Sequence, residues 1–246
     1  MARLRMDTAA YLRATEFVPT LPEGAERSWH IWGADATVGH RELMPLLWSA
    51  AVLELSSNGH IRLFATDDGP AIDLLQPVNA PLHADGEIAP SSVAFDVRFG
   101  IVTKLKNSKR IGVQAAEAVG LASPELTVTE VARWGDIHAR DELRGRFPLA
   151  PQRQLEKLGA ATRREPERPS SLWGKLKAAV DNDNGRPTVD DFDLDDETLA
   201  TLRGEAAPLA AELRAWLATP DGMAVHQSCA AAFDSTSPRH GQDPRL

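Results

Sequence analysis

The sequence predicts an α+β protein with a mixed helical core, a small antiparallel sheet and a helical C-terminal appendage. A long apolar helical pattern at residues 40–57 ends at Asn58-Gly59, and two alternating segments joined by a short turn follow up to residue 75. After residue 197, leucines recur at helical spacing. The 246 residues are 43% hydrophobic and 25% charged, which is ordinary for a soluble globular protein and excludes a fibrous or mainly disordered one.

The first 75 residues alternate between helical and extended patterns. Asp7 is a candidate N-cap for a short helix that reaches Phe17. The next, longer helix contains Pro45, which fits only if the helix begins near Leu43, because proline lacks the amide hydrogen that interior positions donate. Residues 43–75 follow the order helix, strand, turn, strand, which is the order at the end of a winged-helix unit.

The same stretch is similar to part of the Golgi-phosphoprotein family. The matching residues are Glu54-Leu55 and Gly59-His60-Ile61. Members of that family bind phosphoinositide head groups, so the resemblance implies an anionic lipid ligand. The similarity extends over about thirty residues of generic types, and the leucine run expected before them is absent. These residues therefore do not assign the chain to the family.

Residues 92–106 show the most regular alternation in the chain. Apolar side chains occupy the odd positions from Val93 to Ile101 and position 105, and charged side chains occupy several of the even positions. A period of two predicts a strand with one buried and one solvated face. The basic residues expected on the solvated face or at the following turn are Arg98, Lys104, Lys106, Lys109 and Arg110.

A second basic segment follows a helix start at Thr127. Thr127-x-x-Glu130 matches a capping box, and Gly135 separates it from a second helical pattern that carries Arg140 and Arg144. This order is that of a helix–turn–helix, in which exposed arginines reach phosphates and base edges. Two amphipathic helices packed in the core are the favoured alternative, because acidic neighbours of these arginines repel phosphate.

The predicted organisation is a core domain, a linker, a helical region and a tail. The core spans residues 1–160, and the linker, 161–196, contains a short helix at 172–180 and an acidic segment. Residues 197–234 are predicted to be helical, and 235–246 to be a disordered tail. No repeat of fixed period is found. A heptad-like seam predicts contact with a partner helix or a second copy; it comprises Leu199, Leu202, Leu209, Leu213 and Trp216.

Charge is distributed unevenly along the chain. Residues 1–97 carry 6 basic and 13 acidic side chains, residues 98–177 carry 16 and 9, and residues 178–234 carry 3 and 12. The formal net charge of −8 disfavours nucleic-acid binding by bulk attraction, so any anion-binding surface must be local. The basic middle block predicts a non-catalytic, regulatory binding protein that contacts a polyanion. Nucleic acid is the first choice, and the C-terminal helices are expected to contact a protein partner.

Three alternatives remain open. The same basic face is also suited to peripheral attachment to anionic membrane lipid. A soluble enzyme of unrecognised type is a second alternative, because carboxylates are plentiful although none is singled out. In the third, the acidic segment 181–197 covers the basic block of its own chain, and the charge pattern then serves folding or autoinhibition.

No motif assigns a catalytic centre, a cofactor or a metal. The phosphate loop, the dinucleotide fingerprint and the nucleophile elbow are all absent from the sequence. His226-x-x-Cys229 offers two ligands where zinc takes four, so we interpret it as a buried cysteine beside a histidine. A single cysteine and the lack of an apolar run of about 20 residues predict a cytoplasmic protein without a disulfide or a transmembrane segment.

Overall fold

A computed structural model of the protein describes residues 4–23, 25, 28–75, 93–94, 97–101, 126–133, 149–164 and 192–235. The helices with defined bounds are α1 (Met6–Leu12), α2 (His40–Ser57), α3 (Leu149–Lys157), α4 (Asp196–Leu217) and α5 (Pro220–Ser235). The strands are β1 (Thr20–Leu21), β2 (Ser28–Ile31), β3 (Ala36–Gly39), β4 (Ile61–Thr66), β5 (Gly69–Leu74), β6 (Leu126–Thr127), β7 (Ala161–Arg163) and β8 (Phe192–Leu194). The predicted α+β class, with a helical C-terminus, is confirmed.

Within the described residues the strands form three small antiparallel sheets. Their orders are β1-β3-β2, β4-β5-β6 and β7-β8. The predicted hairpin is confirmed, because β4 pairs with β5 across a short turn and places Arg62 opposite Asp73. Strand β6 extends this second sheet by pairing Leu126 with Ile72, so the sheet joins segments that are far apart in sequence.

Helix α2 is the centre of the core. Every residue from Leu43 to Leu53 is buried, as expected for a helix that is apolar on nearly all sides. Helix α5 packs along α2, and α1 packs against both α2 and α4. The helix begins at His40 rather than near Leu43, so Pro45 lies inside it and removes one helical hydrogen bond. In the described part, no helix combines the length and apolar content that crossing a bilayer requires.

The C-terminal helices contribute to the same core as the N-terminal ones. Of the predicted seam on α4, Leu199, Leu202 and Leu213 are buried, and the other two members, Leu209 and Trp216, are half-buried against the core. These side chains pack on the protein's own hydrophobic cluster, to which α1 also contributes. The seam is therefore largely covered by the chain itself.

The alternating segment 92–106, predicted as a strand, is helical where the structure describes it, at residues 93–94 and 97–101, so that prediction is wrong. Val97 and Ile101 are buried, because positions four apart share a face in a helix as well as in a strand. The strand period of two and the helix period of 3.6 differ in where they place the residues between these two positions. Arg98 is only 1% exposed and Phe99 is 46% exposed, so the helix reverses the predicted orientation of both side chains.

Asp7 lies inside α1, and Arg5 occupies the N-cap position where Asp7 was expected. The fully buried Asp7 carboxylate accepts the Val93 amide at 2.9 Å and the Thr8 hydroxyl at 3.1 Å. Arg5 Nε lies 3.3 Å from Asp7 Oδ1, and the same guanidinium donates to the Ala150 carbonyl at 3.0 Å. This buried network joins the N-terminus to the segment at 93 and to α3.

A helix–turn–strand unit occurs twice, first as α2 and β4 and then as α3 and β7. In each unit a glycine with positive φ ends the helix, Gly59 at 70° and Gly159 at 80°. The residue after the glycine donates its amide to the carbonyl five residues earlier, which is the Schellman arrangement. These bonds are His60 N to Leu55 O and Ala160 N to Leu155 O, each 2.9 Å.

The two units also close in the same way. In both units a second strand pairs antiparallel with the first. The residue after this second strand donates its backbone amide to the carbonyl of the residue that follows the glycine. The bonds are Leu75 N to His60 O and Asp195 N to Ala160 O, each 3.0 Å. The return in the second unit comes after residues 164–191, whereas that in the first follows a tight turn. This difference in length hides the repeat from a search for a fixed period.

Candidate functional site

The structure describes one of the seven residues predicted to bind a polyanion. Arg98 is buried in the helical segment 97–101 and does not lie on an open face. The other six, Lys104, Lys106, Lys109, Arg110, Arg140 and Arg144, lie outside the described residues. The capping box that precedes the last two is confirmed, because Thr127 N donates to Glu130 Oε2 at 3.0 Å and Glu130 N donates to Thr127 Oγ1 at 3.3 Å.

The exposed cations in the described part of the basic block lie mostly on the second helix–turn–strand unit. Residues 149–164 contain four basic side chains and one acidic side chain, Glu156. The four basic residues, which we call the α3–β7 cationic surface, are Arg153, Lys157, Arg163 and Arg164. All are exposed or half-buried.

The packing of α3 determines which of its side chains face outward. Its inner face carries Ala150, Gln154 and Leu155, which are all buried. Gln154 Oε1 accepts the backbone amide of Arg5 at 3.2 Å, and this bond holds α3 against the N-terminal segment. Arg153 and Lys157 lie one turn apart in the helix, so they share a side of it.

The Schellman turn then connects this helix to β7, and the two elements are in contact. Ala161 is buried, whereas Thr162, Arg163 and Arg164 are exposed. Arg153, Lys157 and Arg163 form no ion pair with any residue of the described ranges. Arg164 does, because its Nε lies 2.6 Å from Oδ1 of Asp193, which belongs to β8.

The first unit provides an internal comparison. Residues 49–64 carry one basic and one acidic side chain, and α5 packs along α2 there. The first unit therefore belongs to the core, whereas the second has the same backbone and presents an excess of positive charge. Because α2 is buried, it offers no exposed recognition helix of the kind that a winged-helix protein places in a DNA groove.

One cluster resembles catalytic machinery by composition. Ser49 Oγ lies 3.1 Å from His226 Nδ1 and donates to the Pro45 carbonyl at 2.7 Å, and Cys229 hydrogen-bonds to Ser49. Burial raises the pKa of the Cys229 thiol to about 12, although the bond to Ser49 opposes the shift. Burial also lowers the pKa of His226. A fully buried, protonated thiol is an inert packing group, because the thiolate is the nucleophile and the metal ligand.

Among the described residues no group of three or more histidine, cysteine, aspartate or glutamate side chains is arranged to hold a metal ion. Compared with known proteins, the chain matches no family model, no curated protein and no solved structure.

The sequence patterns do not predict the α3–β7 cationic surface, because 161–196 has the composition of a linker and the helical pattern before it carries no functional motif. The missed signal is the spacing Leu155-x-x-x-Gly159, which repeats that of Leu55-x-x-x-Gly59. In both units a leucine three positions before the helix cap and a glycine just beyond that cap satisfy the Schellman pattern. This shared spacing predicts a strand after each glycine.

Proposed function

We propose that the protein is a non-catalytic, cytoplasmic binding protein and that the α3–β7 cationic surface contacts a polyanion, with nucleic acid as the first choice. The observation that carries the proposal is the contrast between the two helix–turn–strand units. Their turns have the same hydrogen bonds, yet only the second places an excess of basic side chains outside the core. Packing alone does not require this excess of arginine and lysine.

The chemistry of these side chains suits phosphate. Arginine and lysine contact phosphate oxygens without reading the base sequence, and such contacts position a protein on a nucleic acid. Three of the four cations have no carboxylate partner in the described ranges, so phosphate binding would break no ion pair of theirs there. Because the chain carries a formal net charge of −8, attraction to phosphate requires a local cationic surface of this kind.

The test is a fluorescence anisotropy titration of the full chain against a short labelled DNA duplex at several salt concentrations. We expect affinity to fall as salt rises, because each neutralised phosphate contributes about 0.9 to the slope of log K against log salt. The variant R153Q/R163Q should weaken binding and reduce the magnitude of this slope by about 2.

The matched control is R62Q/R214Q, which removes the same charge from exposed arginines outside the proposed surface. It should leave the slope unchanged, and a thermal melt should show that both variants fold. Vesicles with and without an acidic phospholipid form a second arm. Preference for acidic vesicles over DNA would assign the surface to a membrane. The absence of binding to either probe at low salt, or equal effects of the two variants, would overturn the proposal.

A further inference from the structure

We infer that Asp193 competes with a bound phosphate for Arg164, so that β8 partly blocks the α3–β7 cationic surface from within the same chain. The inference rests on the proposed function of that surface and describes how the surface is regulated. Its basis is the Arg164–Asp193 ion pair, with 2.6 Å between Nε and Oδ1.

The pairing of β7 with β8 holds the carboxylate in place. Their register puts Asp193 opposite Thr162, which is two residues before Arg164. Arg164 is 56% exposed and Asp193 is 65% exposed, so both groups remain in contact with water. An exposed ion pair is weak, and an incoming phosphate can therefore displace it.

Asp193 is distinguished from the other acidic residues beside it. The Asp195 carboxylate accepts the Thr198 amide at 2.9 Å and caps α4. Asp196 and Glu197 lie in the first turn of α4, where negative charge is favourable because of the helix dipole. Among these four carboxylates, only Asp193 forms a described ion pair with a cation of the basic block.

The first unit again supplies a matched control. Arg62 and Asp73 form an exposed ion pair across β4 and β5. Removal of the Asp73 charge changes the net charge of the protein by the same amount as removal of the Asp193 charge. Asp73, however, lies opposite Arg62 of the first unit, which lacks the cationic surface. Asp73 pairs with Arg62 and with none of the four cations of the α3–β7 cationic surface, so D73N should have little effect on binding.

The experiment compares D193N, D73N, R164Q and D193N/R164Q with the wild-type chain in the same DNA titration. We expect D193N to raise affinity about two- to fivefold, the range that one exposed ion pair allows, and D73N to leave it unchanged. In the R164Q background the D193N gain should disappear, because the cation for which Asp193 competes is gone.

The outcomes separate this inference from the proposed function. Equal gains from D193N and D73N, or a D193N gain that persists in R164Q, would reduce the effect to net charge and overturn the inference. The salt-dependent binding of the wild-type chain would then still support the proposed function. If no chain binds the duplex or acidic vesicles, both are overturned.

Discussion

Gly159 repeats the backbone conformation and the hydrogen bonding of Gly59 in a different part of the chain. Each glycine has a positive φ, and each follows a helix whose last carbonyls are satisfied by the Schellman bonds. Both units contribute to the core, but α5 packs along the helix of the first, whereas the second presents an excess of exposed basic side chains. Charge rather than backbone geometry distinguishes them, and it is on charge that the proposed function depends.

The two glycines should be equally intolerant of alanine. Neither G59A nor G159A would meet another atom within 4 Å, so the cost is confined to the positive φ. A left-handed residue with a Cβ costs about 1–2 kcal/mol, and each variant should lose that much free energy of unfolding. Urea denaturation followed by tryptophan fluorescence measures the loss.

Gly204 is the control for these variants. It lies inside α4, where an added Cβ meets nothing within 4 Å and no positive φ is required. G204A should therefore stabilise the protein by about 0.5–1 kcal/mol, since alanine favours helix. A neutral effect of G59A or G159A would contradict the role given to the Schellman turns.

Tyr11 should titrate at an unusually high pH. Burial raises its pKa to about 12, although hydrogen bonds to the Trp32 backbone and to Gln152 oppose the shift. The sequence contains one tyrosine, so tyrosinate absorbance at 295 nm reports on this residue alone. The native protein should show a midpoint near 12, and the unfolded chain in guanidinium should show one near the ordinary value of about 10.

The raised pKa of Tyr11 has a consequence for stability at alkaline pH. The neutral phenol is favoured in the folded state, so its contribution is complete below about pH 10 and is lost as the pH rises toward 12. Y11F should remove this dependence, although it also removes the bond from the hydroxyl to the His30 carbonyl at 2.9 Å. A native midpoint close to that of the unfolded chain would contradict the burial of Tyr11.

Cys229 should be unreactive in the folded protein. It is the single cysteine, it is fully buried, and burial raises the pKa of its thiol to about 12. At pH 8 a disulfide reagent should modify it only when α5 opens, whereas the unfolded chain should react at once. Rapid stoichiometric reaction in native buffer would show that the thiol is accessible.

The protein should lose stability at mildly acidic pH through His226. Burial lowers the pKa of His226, although a hydrogen bond to the Pro45 backbone opposes the shift. The unfolded chain therefore takes up a proton below about pH 6.5 while the folded chain resists it. The contribution is fully present above that pH and is lost as the pH falls toward the lower folded value.

H226Q should flatten the acidic side of the stability profile. Glutamine does not ionise, so the free energy of unfolding of the variant should depend less on pH between about 6.5 and the folded pKa of His226. Urea denaturation at a series of pH values measures the difference. Identical slopes for the variant and the wild-type chain would show that other groups cause the acid dependence.

Local patterns in the sequence were enough to predict several elements. The Asn58-Gly59 stop, the β4–β5 hairpin and the capping box of Thr127 and Glu130 were all predicted, and the structure confirms them. Each depends on residues within a few positions of one another. The backbone conformation of a glycine or the reach of a glutamate side chain decides such features, and neither needs the rest of the chain.

The amino-acid sequence by itself thus determined the α+β class, the long apolar helix and the uneven charge. Only the tertiary structure decided that Arg98 is buried while Phe99 is exposed, because Val97 and Ile101 fit a strand and a helix equally well. Only the tertiary structure also decided that Asp193 forms an ion pair with Arg164. The pairing of β7 with β8 joins strands separated by residues 164–191, and no local pattern specifies contacts over such a distance.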